Sequence, residues 1–190
     1  FLKVHFQTTT SITAFAVTGY SLALAIFILP LGVFSDKLGK LKISYLGFVL
    51  FGLSSLFCGF SNSISLLIIG RIIQGIGAAA LQATSAALIT TLVSEETKNS
   101  SISVLGVMIG LGPVLGPSLG GILLSLNIWR FIFWINVPFA IIAILINHYL
   151  LNKISENTTN QKLDREGTII NAVMLVFLLL GLSLLSKPKL

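Results

Sequence analysis

The sequence has little charge. Only 9% of its 190 residues are Asp, Glu, Lys or Arg, against roughly 25% in an ordinary soluble domain. A soluble fold of this size could not stay wettable with so few charges. Cysteine is nearly absent. Cys58 alone, inside an apolar run, excludes an intrachain disulfide and reads as an inert small hydrophobe. The two histidines, His5 and His148, lie far apart without a Cys or carboxylate cluster beside them, so no metal site is expected. Disorder, which needs low hydrophobicity, is excluded by 55% hydrophobic residues and a mean hydropathy of +0.99. What is there is a chain built for a bilayer. Its net charge of +6 does not point to nucleic acid, because the basic residues are few and scattered over short loops, where they set topology.

A helix needs about 20 apolar residues to cross a bilayer core. Six runs qualify: about Ile12 to Phe34, Ile43 to Phe60, Ser65 to Val93, Ser101 to Leu126, Trp129 to Leu151 and Thr168 to Leu185. Strand barrels show alternation in segments of about ten residues, and these runs are continuous and longer. The fold class is therefore all-α, a polytopic transmembrane helix bundle. The start, Phe1-Leu2-Lys3-Val4-His5-Phe6-Gln7, has no basic region followed by an apolar one, and the chain reads as a piece of something longer.

One side of the membrane would hold Lys37, Lys40, Lys42, Lys98, Lys153, Lys162 and Arg165, the other Lys3, Arg130, Lys187 and Lys189. The positive-inside rule places the first set in the cytoplasm. The glycosylation-like triplets at Asn99 and Asn157 then fall in cytoplasmic loops, where they carry no meaning. The sizeable polar stretch, residues 152–166, reads as a flexible cytoplasmic linker. It divides an N-terminal bundle, 1–151, from an additional span, 167–190.

Four local patterns carry chemistry. In the loop after the first span, Gly32 and Gly39 permit close backbone approach and a tight turn. There Asp36 stands among Lys37, Lys40 and Lys42, placed to face a neighbouring helix N-terminus or simply to make a charged turn. In the third span, Arg71 is a costly intramembrane charge that persists only toward protein or water. At 100° per residue, Gln82 falls about 20° from Arg71, with Gln74 and Ser85 flanking the same line. Arg71, Gln74, Gln82 and Ser85 thus form a polar stripe, either facing a pathway or with the arginine snorkelling to the outer interface and the glutamines satisfied by neighbouring helices. Gly75, Ala79, Ala83 and Ala87 form another face suited to close helix packing. The fourth span carries Gly106, Gly110, Gly112, Pro113, Gly116, Pro117, Gly120 and Gly121. Gly112, Gly116 and Gly120 make a groove for close helix approach and the two prolines prise the helix open, which reads as a conformationally active helix or as a plain packing motif. The fourth pattern runs from Trp129 to Pro138, with Trp129 as an interfacial anchor and Asn136 as an amide needing a partner.

These patterns resemble the major facilitator superfamily. Gly32, Asp36, Lys37, Gly39 and Lys40 match the signature between that family's second and third helices, with Phe34 in place of Leu and Leu41 at the last basic position. Leu67, Arg71, Gln74, Gly75 and Gly77 are similar to its fourth-helix motif. Gly112, Gly116, Pro117, Gly120 and Gly121 resemble the fifth-helix motif of its antiporters. The Trp129 to Pro138 run, with Asp164 and Gly167, is similar to the fourteen-helix drug:proton antiporters. The resemblance implies helices two to seven of a multi-pass transporter in the plasma membrane, without the first helix. It implies alternating access driven by a proton gradient rather than a bound cofactor. Asp36 and the loop lysines would form a cytoplasmic gate, Arg71 would influence proton transfer, and the Gly112–Gly121 helix would favour export. Lipid, protons, a small lipophilic substrate and the parent's missing helices would be the partners. No acidic residue lies within a span, so the coupling carboxylate is expected elsewhere and the 190-residue chain alone is expected to be inactive. Export of a sugar or metabolite, and a non-transporting remnant or membrane scaffold, are the alternatives. An enzyme is not expected, because no His, Asp or Ser cluster gathers near an interface.

Overall fold

Local chemistry sets most helix ends. The computed structural model describes residues 8–156, 158 and 164–185. Thr9 caps α1 (Thr10–Leu38) by accepting from the Ile12 N–H at 3.4 Å. Gly39, at φ +105°, breaks the chain before α2 (Lys40–Phe60); few other residues tolerate that conformation. Ser63 caps α3 (Ile64–Leu92), accepting from the Leu66 N–H at 3.3 Å. Then α4 (Glu95–Ser125) opens with Glu95 and Glu96, the sign that a helix N-terminus favours. It closes on Asn127 at φ 58°, where the N–H groups of Asn127 and Ile128 donate to the carbonyls of Leu124 and Leu123.

The fifth predicted span is in two pieces, α5 (Phe131–Trp134) and α6 (Asn136–Lys153). Pro138 explains the break, because it has no N–H to offer the Trp134 carbonyl and its ring crowds that group. The amide of Asn136 donates to the Ile132 carbonyl at 3.4 Å, which is the partner that residue needed. The last helix, α7 (Arg165–Leu185), lies against α1. No strand occurs among the described residues. Among the described residues, five helical segments are long and apolar enough to span a membrane, and the stretch Glu166–Leu178 of α7 is a shorter apolar helix.

The helices outrun the spans drawn from hydropathy. Asp36 falls in the last turn of α1, and Glu95 and Glu96 fall in the first turn of α4. Hydropathy stops at the membrane surface, whereas helical hydrogen bonding does not. Lys3, Asn157, Lys162, Lys187 and Lys189, which enter the topology argument, and His5, which enters the metal argument, lie outside the described residues.

The packed interior is formed by α3 with α1 and α2, and by α2 with α6. Small residues allow the close approach. A Cβ on Gly75 would stand 2.5 Å from the Tyr20 carbonyl oxygen of α1, and one on Gly77 would stand 2.8 Å from the Phe51 nitrogen of α2. Ala79, on the same face as Gly75, is wholly buried. A cluster of Ala16, Cys58, Leu67, Trp129 and Phe133 closes the end of the bundle near the α2–α3 turn. This corrects the view of Trp129 as an interfacial anchor. It is only 3% exposed and packs edge-on against Phe133, with the Arg130 guanidinium 5.3 Å from its ring centroid. The indole is a core element because the chain turns inward at the short α4–α5 connection.

Candidate functional site

The α3 helix places Arg71 about two turns from its N-terminus. The side chain crosses to α1, where Nε donates to the Ala16 carbonyl at 3.2 Å and the guanidinium lies 4.1 Å above the Tyr20 ring centroid. The Phe133 centroid is 5.9 Å away on a second side. One terminal nitrogen donates to Gln74 Oε1 at 2.6 Å, and Gln74 Nε2 in turn donates to Ser55 Oγ of α2 at 2.6 Å. Gln74 and Ser55 are almost completely buried. The result is a polar chain running from α1 through α3 to α2, with each member held by the next. No carboxylate pairs with Arg71 among the described residues. Its positive charge is fixed by neutral oxygens and aromatic faces, a solvation mode suited to guanidinium.

The expected stripe of four divides. Arg71 and Gln74 join this network, while Gln82 is exposed and Ser85 bonds back to the Gln82 carbonyl at 3.1 Å. Helical angle gave them a common line, yet Gln82 stays uncovered although α2 continues alongside α3 at Leu81 and Ser85. Ser85 instead lines an apolar cavity of about 440 Å³ with Leu41, Ser44, Leu81, Ile146 and Asn147. Asn147 donates to Ser44 Oγ at 3.0 Å, yet its Oδ1, also buried, has no partner among the described residues. Sequence reasoning missed Ser55, Ser44 and Asn147. Single small polar residues in apolar runs were the only available signal.

The loop expected to gate also divides. Gly39 makes the turn, and Asp36 pairs with Lys40 at 3.5 Å, one helical turn along in sequence. Lys37 lies in the last turn of α1, where a cation suits the carbonyl end of a helix. Gly32 has open space where a side chain would go, so close approach is not its role here. The carboxylate that meets a helix N-terminus is not Asp36. Glu156 accepts from the Leu41 N–H with both oxygens, at 2.9 and 3.1 Å. The linker therefore begins docked through Glu156.

The glycine and proline groove is intact but bare. In α4, Gly112, Pro113, Gly116, Pro117 and Gly121 are exposed, Gly120 is partly so, and among the described residues no other part of the protein comes within 4 Å of where a side chain on these glycines would start. The helix runs unbroken through both prolines. With no N–H at 113 and 117, the carbonyls of Ile109 and Pro113 lack their usual helical donors.

A bundle of apolar helices around a fixed intramembrane arginine defines a polytopic integral membrane protein. Residues 1–188 match the model of the Major Facilitator Superfamily, and the chain belongs to that family of transporters. It is 33% identical over 182 residues to the riboflavin transporter RibZ of Clostridioides difficile, covering 96% of this chain and 40% of that protein. It is 34% identical over 167 residues to a triacylglyceride transporter of Mycolicibacterium smegmatis, covering 87% of this chain and 30% of that one. MdtD of Citrobacter koseri, provisionally named a multidrug resistance protein, is 31% identical over 166 residues, covering 87% of this chain and 35% of its own length. The chain thus spans well under half the length of these relatives.

Proposed function

We propose that this chain supplies the N-terminal transport bundle of a proton-coupled exporter of small lipophilic compounds in a bacterial plasma membrane. The observation that carries the reading is the buried chain Arg71–Gln74–Ser55. A guanidinium fixed at this depth, with no paired carboxylate among the described residues, favours the ionised form of any acid brought near it. That is the property needed to drive a proton off a carrier group as the transporter changes state. The relatives' names, spanning a vitamin, a lipid and multidrug resistance, support transport of small molecules while differing in cargo.

The uncovered α4 face and the cavity at Asn147 fit the same reading. Halves of such transporters are built as inverted three-helix repeats. In that scheme α3 heads one repeat, and it packs on α1 and α2 of the other. The counterpart of α3 would pack on α4 and α6, covering the bare groove and closing the cavity. The 190-residue chain alone is then inactive.

The test uses dye efflux from cells carrying the intact transporter that contains this segment, with and without a proton uncoupler. Efflux should collapse with the uncoupler and fall at least tenfold in Arg71→Ala. Efflux indifferent to the uncoupler would end the antiport reading, and an undiminished mutant would remove Arg71 from the mechanism. Vesicles carrying only the 190-residue chain should show none.

A further inference from the structure

We infer that Glu156 is a latch that holds the start of the 152–166 linker on the α1–α2 loop. The case begins with what α2 lacks. Its N-terminal cap is Gly39, which has no side chain to accept from the first turn, and no acidic residue follows. Lys40 and Lys42 stand in that turn instead, the sign that a helix N-terminus disfavours. With Glu156 in place Leu41 is 1% exposed, so its N–H is out of contact with water and needs a partner within the protein.

Glu156 supplies what is missing from 115 residues away. Both of its oxygens accept from the Leu41 N–H, bringing one negative charge to the positive end of the helix. The fit depends on Gly39 twice. Its φ of +105° turns the chain, and its missing side chain makes room, since a Cβ there would stand 2.6 Å from Glu156 Oε2. On the linker side, α6 closes with the Ile154 N–H on the Leu150 carbonyl, and Ile154 to Glu156 leave the helix toward the loop. A polar crevice of about 430 Å³, bordered by Leu38, Gly39, Lys42 and Lys153, surrounds the contact.

The latch adds a direct tie between two segments that the packing of α2 with α6 and of α1 with α7 also links. Displacement of the linker reaches the loop through one carboxylate, and release exchanges that carboxylate for water. The functional consequence rests on reading the loop as a gate, but the contact itself does not. An experiment that reads the contact can fail while the transport reading stands.

The chain, reconstituted in lipid nanodiscs, is compared with Glu156→Ala and Glu156→Asp by amide hydrogen exchange. In Glu156→Ala, amides of residues 40–43 should exchange at least tenfold faster, with the second half of α2 unchanged; Glu156→Asp should fall between. As a second measurement, spin labels at Leu38→Cys and Ser155→Cys should give a narrow distance distribution that broadens in Glu156→Ala. Cys58 is fully buried and does not compete for label. Unchanged exchange at 40–43 with an unchanged distance distribution would overturn the latch. Faster exchange spread evenly along α2 would also overturn it, because that marks general destabilisation.

Discussion

Helices α3 and α4 are near twins in composition and opposites in circumstance. They have 29 and 31 residues, similar apolarity, and glycines spaced for close packing. Yet 44% of the apolar window of α3 is buried and none of that of α4. The difference shows that glycine spacing records a capacity for close approach, and that only a partner converts it into structure. In α3 the partners are the Tyr20 backbone and Phe51. In α4 there is open space.

The largest effect that tests this contrast is steric. Gly75→Leu should prevent the bundle from assembling, because its first side-chain atom would already lie inside the Tyr20 carbonyl; overpacking usually costs about 1–3 kcal/mol or more. Gly116→Leu in α4 should leave the thermal stability of the purified chain unchanged. Size-exclusion profiles of both in detergent check the pair. Equal damage from the two would mean that α4 is packed after all.

Polar substitutions come next. Arg71→Met strands Gln74 Oε1 and takes the second donor from the Ala16 carbonyl, and should destabilise the chain by about 1–3 kcal/mol in a denaturation titration. Gln82→Leu, on the same helix but exposed, should stay within about 0.5 kcal/mol of the parent. A smaller effect is the coupling between Gln74 and Ser55. A double-mutant cycle with Gln74→Leu and Ser55→Ala should return roughly 0.6 kcal/mol, the average for hydrogen bonds between membrane helices. A coupling of zero would dissolve the network into separate contacts. The smallest effect belongs to Asp36→Asn. Its ion pair with Lys40 is partly exposed at 3.5 Å, so stability should change by less than about 0.5 kcal/mol. A larger loss would show that Asp36 bonds beyond its own turn.

The same contrast explains what could be read from the chain. Span positions, the inward placement of Arg71 and the packing role of Gly75 were legible, because periodicity and hydropathy act over a few turns of one helix. The split of Gln82 from Gln74 was not, since it depends on which side of α3 its neighbours cover. Trp129 looked like an anchor for the same reason. Its position at the start of a span is visible in sequence, whereas the chain's inward turn is not. Glu156 was the least legible. Nothing local to a carboxylate in a polar stretch says that it caps a helix starting 116 positions earlier, at Lys40.

The two prolines of α4 have a consequence for biogenesis. Each leaves a backbone carbonyl, at Ile109 and at Pro113, without its helical donor, and lipid offers nothing in return. A ribosome-bound chain that has released this helix into the bilayer therefore carries two unmet acceptors on a smooth, glycine-lined side. Such a surface rewards a neighbouring helix that brings a hydrogen-bond donor, because an unmet backbone carbonyl is costly in lipid.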